Sequence, residues 1–202
     1  MLEDQGLERV TLMGHSLGAY VCLAFAAQYP ERVKKLILLD GAGHLSRSRW
    51  DKIELAITPS LDRLEQVFPS YEDYTAPLKL APFLQPWTKA LDAYFRYEIE
   101  EVDGGVRSRT PVAAIREEST NIRHFDALRL YPKISCPVLI LRAPEGILTR
   151  NDVVLPEDVA ETMVRDIPDA RRVDVEGANH YSILFQANDS RDRAIRSFLE
   201  EP

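Results

Sequence analysis

A five-residue turn, Gly14-His15-Ser16-Leu17-Gly18, stands between a short β-prone run, Arg9 to Met13, and a helix-length run, Ala19 to Tyr29, that is apolar nearly all round. A serine at so abrupt a corner between strand and helix takes a strained backbone, and the flanking glycines leave room for neighbouring backbone to approach. The helix that follows turns the positive end of its dipole toward the corner. The backbone N–H of Leu17 is then expected to point where a developing oxyanion would sit, which is where fixed donors contribute most to rate. A Gly-x-Ser-x-Gly pattern carries weight only in this strand-turn-helix setting, and the setting is present.

The rest of the chain supports a parallel sheet around that corner. Pro30 stops the helix, and Val33 to Leu39 follows as a strand whose second half is continuously apolar, as in strands covered on both faces. Asp40-Gly41 ends it. From about Ala42 to Pro132 proline and aromatic residues become frequent, and helical period appears over Ser60 to Phe68, Trp87 to Glu101 and Thr110 to Leu130. The sheet pattern returns with Pro137 to Leu141, then a helix from about Glu157 to Arg165, a strand from Arg171 to Val175 and a closing helix from about Ser190 to Glu200. The expected class is α/β, a mostly parallel sheet with flanking helices. Residues 1–41 and 133–202 form the core, and residues 42–132 an inserted helical cap.

Composition narrows the function. The chain has 202 residues and 25 basic against 32 acidic side chains, a net charge of -7 that works against attraction to phosphate backbones or anionic lipid. Nucleic acid is therefore not an expected partner. No run approaches the ~18 apolar residues of a membrane span. The start, Met1-Leu2-Glu3-Asp4, is acidic where a signal peptide would be basic, so a cytoplasmic protein with no membrane partner is expected. Cys22 and Cys136 are far apart in unrelated settings and read as buried free thiols.

A serine hydroxyl is a poor nucleophile at neutral pH and needs a base. Of the four histidines, His15 adjoins Ser16 and faces another way, while His44 and His124 fall in the cap segment. His180 follows the last expected strand, in Val175-Glu176-Gly177-Ala178-Asn179-His180, and it comes after the serine in chain order. From Leu7 to Asp40, and again through the later strands to His180, the chain resembles the α/β-hydrolase family. That resemblance implies Ser16 as nucleophile, His180 as general base, no cofactor and no metal.

The third member of the triad stays open at this stage. In the family the acid commonly follows the strand after the cap, but aligning Leu141-Arg142-Ala143 with that strand end puts Gly146 in the acid slot, with Glu145 beside it. Asp152 recovers the usual spacing to Pro156 only beyond extra residues that would have to fold back. Asp40 closes the strand after the first helix, and some family members carry their acid there. Asp40 is preferred over Asp152, with Glu145 third.

The resemblance also implies that the earlier strands of the family's sheet, and a second oxyanion N–H, have no counterpart in this chain. The strand from Val10 to Met13 is then an unpaired apolar edge. Two occupants are expected for it: a missing N-terminal part of a longer polypeptide, or a second copy in a homo-oligomer. Serine at the corner argues against aspartate-based dehalogenase or epoxide hydrolase chemistry and makes a small acyl compound, an ester by default, the expected substrate. A catalytically silent binding module, and an acyltransferase or perhydrolase using the same residues, remain alternatives.

Overall fold

In the computed structural model, described over residues 3–149 and 152–201, the sheet and the inserted segment are built quite differently. Met1 and Leu2 of the acidic start lie outside the described residues. The sheet holds four parallel strands in the order β1-β2-β5-β6: β1 (Val10–His15), β2 (Val33–Leu39), β5 (Val138–Arg142) and β6 (Ala170–Asp174). Gly14 pairs with Leu38, Leu38 with Ile140, and Ile140 with Arg172, so the strand ends line up along one edge.

Alternation along the two central strands explains the layers. Leu36, Leu38 and Ile140 face Leu23 of α1 (Leu17–Gln28) and Met163 of α6 (Glu157–Asp166). Ile37, Leu39, Leu139 and Leu141 face the other way, onto Ile183 of the short helix α7 (Ser182–Phe185) and Phe198 of α8 (Asp189–Glu200). Helices therefore cover both faces, which is why these strands read as unbroken apolar runs. Of the two lysines in β2, Lys34 is exposed and Lys35 has a task. Lys35 is buried and its ammonium donates to the carbonyls of Phe198 at 2.8 Å and Leu199 at 3.2 Å, satisfying carbonyls at the C-terminal end of α8.

Among the described residues β1 has one strand neighbour, β2. On this edge strand Met13 is 57% exposed.

Between β2 and β5 the chain folds into α2 (Arg47–Leu64), α3 (Tyr71–Leu80), α4 (Lys89–Glu98), an antiparallel hairpin of β3 (Ile99–Val102) and β4 (Gly105–Ser108), and α5 (Val112–Arg123). Tyr74, Leu84, Leu91 and Phe95 form a small core of its own. Three sequence expectations need correction here. The helix expected over Ser60 to Phe68 is the end of a longer one that starts at Arg47 and runs through Pro59. The helix expected over Trp87 to Glu101 stops at Glu98, because Ile99 enters the hairpin whose two-residue turn is Asp103-Gly104. The helix expected over Thr110 to Leu130 ends at Arg123, where the chain tightens into a 3₁₀ turn at Ala127–Arg129. No helix among the described residues is long and apolar enough to cross a membrane.

Candidate active site

Ser16 sits at the junction of β1 and α1 with φ 54° and ψ -122°, a conformation that L-residues avoid at a cost of about 1–3 kcal/mol. The surroundings enforce it. The Ser16 N–H donates to the Leu39 carbonyl at 3.0 Å, and a methyl added at Gly14 would lie 2.3 Å from the Gly18 carbonyl oxygen. Only a glycine at position 14 lets strand and helix meet this closely. Leu17 is the first residue of α1, so its N–H has no carbonyl partner within the helix.

One strand over, the end of β2 is strained in the same way, with Asp40 at φ 41° and Ala42 at φ 65°. Backbone and hydroxyl groups hold it. The Asp40 N–H donates to Leu141 O at 2.8 Å, Tyr131 Oη donates to Ala42 O at 2.8 Å, and Tyr20 Oη donates to Gly43 O at 2.7 Å. Burial raises the pKa of both phenols, so they stay protonated and keep donating. A methyl on Gly41 would sit 2.6 Å from the Ser16 carbonyl oxygen and 2.9 Å from Ala19 Cβ. The tips of β1 and β2 are thus fitted directly against each other.

The Asp40 carboxylate, 0% exposed, accepts the Ala143 N–H at 3.1 Å on Oδ1 and meets Nδ1 of His180 at 2.7 Å on Oδ2. With Asp40 ionised, Nδ1 carries the proton and donates it, which leaves Nε2 unprotonated, the tautomer a general base requires. His180 is itself buried, on the loop after β6. Two residues shape that loop. Asn179 Oδ1 accepts the N–H groups of Tyr181 at 2.9 Å and Ser182 at 2.8 Å, while its Nδ2 donates to Phe83 O of the inserted segment at 3.0 Å. His15 Nε2 lies 2.8 Å from the His180 carbonyl, the two rings 4.5 Å apart. Desolvation first, and the charge of a protonated His180 second, pull the His15 pKa down to about 4. A neutral His15 donates to that carbonyl and braces the loop that carries His180.

Ser16 and His180 line the same two cavities, of about 210 and 400 Å³. The smaller is walled by Tyr20, Trp50, Ile53, Ile122, Ile147 and Val154. The larger runs between α2, α4 and the loop carrying His180, past Phe83 and Leu84.

Of the three carboxylates considered from the sequence, the structure brings Asp40 to His180 and neither of the others. Asp152 turns inward on its own loop, where it accepts the N–H groups of Leu148 at 3.0 Å and Thr149 at 3.0 Å. The extra residues before it are closed into a turn by that carboxylate. Glu145 is exposed, tied through its backbone N–H to Ala178 O at 3.0 Å. Sequence reasoning missed Tyr20, Tyr131 and Asn179. A tyrosine inside the otherwise apolar α1 was the available signal for Tyr20, since a buried phenol needs a partner.

Comparison with known proteins gives the family. The model of the alpha/beta hydrolase fold family matches residues 1–187. The chain belongs to the α/β-hydrolase family. It is 25% identical to Lipase 1 of Psychrobacter immobilis, over 99% of this chain and 60% of that protein. It is 29% identical to 2-(acetamidomethylene)succinate hydrolase of Mesorhizobium japonicum, over 84% of this chain and 57% of the other. A solved structure of E-2-(acetamidomethylene)succinate hydrolase superposes with a TM-score of 0.81 at 25% identity, covering 99% of this chain and 70% of that one. This α/β-hydrolase chain spans about three-fifths of the length of such curated relatives, with shares of 60%, 56% and 57%.

Proposed function

We propose that this α/β-hydrolase chain carries the catalytic triad of a serine hydrolase that cleaves carboxylic esters through an acyl-enzyme on Ser16. The observation that supports it most is the 2.7 Å contact between His180 Nδ1 and a fully buried Asp40, with His180 and the strained Ser16 facing common cavities.

The chemistry follows from those groups. Nε2 of His180 takes the Ser16 proton as Oγ attacks the ester carbonyl, and the Asp40 carboxylate stabilises the imidazolium that forms. The Leu17 N–H, at the positive end of α1, donates to the oxyanion of the tetrahedral intermediate. Collapse breaks the bond to the alcohol oxygen, which leaves with the proton from His180. Water, deprotonated by the same imidazole, then releases the acid and restores Ser16. Two cavities meeting at the nucleophile suit the two sides of an ester, and the inserted segment supplies most of their walls, acting as a cap. Relatives named as a lipase and as a 2-(acetamidomethylene)succinate hydrolase are compatible with acyl chemistry of this kind.

A fluorophosphonate probe tests the reading directly. The folded chain should be labelled at one site and Ser16→Ala should remove the label. Labelling that survives Ser16→Ala, or a folded chain that takes no label, would overturn the assignment.

A further inference from the structure

On α5 the residues Ile115, Glu118, Ser119 and Ile122 recur at helical spacing, and all four line the smaller cavity together with Ser16 and His180. A helix face turned to an apolar cavity ordinarily carries apolar side chains, and here one position is a carboxylate. Among the described residues lining this cavity Glu118 is the only carboxylate, and none is a lysine or arginine. Glu118 is exposed, which places it where the cavity opens to water and within reach of a ligand. The charged pair in the larger cavity differs in this respect, because Arg63 meets Glu98 at 3.2 Å and the atoms the pair leaves unpaired are buried.

Glu118 has no hydrogen-bond or ion-pair partner among the described residues. The two arginines of its own helix are taken up elsewhere, Arg116 by Glu65 at 3.5 Å and Arg123 by Asp51 at 2.9 Å and by Glu54. Its negative charge therefore faces the cavity mouth uncompensated. The same cavity is lined by Trp50 and Tyr20, whose ring centroids lie 6.0 Å apart. Aromatic rings beside a free carboxylate are the surfaces that attract a partly desolvated cation. A substrate arm ending in a carboxylate would be repelled by Glu118, and an alkyl arm draws nothing from it.

We propose that Glu118, with Trp50 and Tyr20, forms a specificity site for a cationic nitrogen, an ammonium or quaternary ammonium group, on the ester arm that enters the smaller cavity. This rests on Ser16 being the nucleophile at the inner end of that cavity. The net charge of -7 favours encounter with a substrate of this kind.

The test separates the two readings. Two ester series are made, one varying the acyl arm and one the alcohol arm, with chains of increasing length ending in trimethylammonium, in its neutral tert-butyl isostere or in carboxylate. Binding of the intact esters is measured by calorimetry on the Ser16→Ala protein, and turnover on the unaltered one. At one chain length in one series the trimethylammonium ester should be preferred over the tert-butyl ester by about 10-fold. Glu118→Gln should reduce that ratio to about 2-fold, and Glu118→Lys should shift the preference toward the carboxylate. Glu117→Gln, which removes the same charge from the neighbouring exposed residue outside the cavity lining, should leave the ratio in place. Ratios within one preparation are independent of the folded fraction. No measurable binding, no cation preference in either series, or a preference that Glu118→Gln leaves unchanged or that Glu117→Gln lowers equally, would each overturn the inference. A cation preference in binding that depends on Glu118, without turnover or probe labelling of the unaltered chain, would instead sink the hydrolase reading alone.

Discussion

The parallel sheet and the segment inserted between β2 and β5 face the same cavities, but they are held by different forces. At the sheet tips Ser16 and Asp40 are fixed by main-chain hydrogen bonds to Leu39 and Leu141, and by contacts too close for a methyl group. The walls contributed by α2 and α5, such as Trp50, Ile53 and Ile122, are fixed by side-chain packing, and the inserted segment contains the unpaired atoms of Arg63 and Glu98. Reacting groups placed by backbone tolerate almost no change in position. Walls placed by side chains can be remodelled one residue at a time, so under the proposed function chemistry and selectivity are separable.

The sharpest way to break that contrast is at the acids. Asp40→Asn should lower kcat by roughly 10³- to 10⁴-fold, because an amide favours the wrong imidazole tautomer and does not stabilise the imidazolium. Asp152→Asn should change kcat by less than about 3-fold and cost about 1–2 kcal/mol of unfolding free energy through its weakened turn. Kinetics and urea melts on both variants decide this, and equal losses of turnover would erase the distinction.

Gly41→Ala comes next. Its methyl would strike the Ser16 carbonyl, so stability should fall by about 3 kcal/mol and turnover with it, since the nucleophile has to move. A variant with full activity and an unchanged melting point would show the two tips to be less tightly fitted than described.

His15 sharpens the comparison through pH. Its folded pKa, about 4, lies below the ordinary 6.5, so between those values the unfolded chain binds the extra proton and stability falls as the medium is acidified. The whole effect amounts to no more than about 3 kcal/mol. His15→Gln keeps a donor for the His180 carbonyl and should flatten the slope of unfolding free energy against pH in that window. An identical slope would remove His15 from the account.

The smallest effect belongs to the walls. Ile122→Ala should change kcat/KM for long-chain esters by about tenfold and for acetates by far less, in steady-state assays with a graded ester series. A uniform loss would mean that Ile122 supports the triad rather than the cavity.

The same division governs what the sequence reveals. Strand β2, the helix α1 stopped by Pro30, and the Ser16 corner are written in local signals, continuous apolar runs and a glycine pattern, and each was legible. His180 stood out by its place after the last strand, and the structure seats it against Asp40. Asp40 stood first among three carboxylates in the sequence, yet its advantage over Asp152 depended on where the Asp152 side chain turns, which is set by its bonds to the Leu148 and Thr149 N–H groups. In the inserted segment Pro59 and Pro77 sit within α2 and α3, where packing of Ile53 and Ala56 and of Tyr74 and Leu78 outweighs the lost hydrogen bond. The Asp103-Gly104 turn was a hairpin signal in plain view, obscured by the helical period on its N-terminal side.

The close seating of Gly41 on Ser16 has a kinetic corollary. Two strand termini that interlock so tightly open together or not at all, so local unfolding has no route to an intermediate that keeps the hydroxyl poised while its carboxylate wanders. Amide exchange at Ser16 and Asp40 should share one rate, and thermal inactivation should follow a single step.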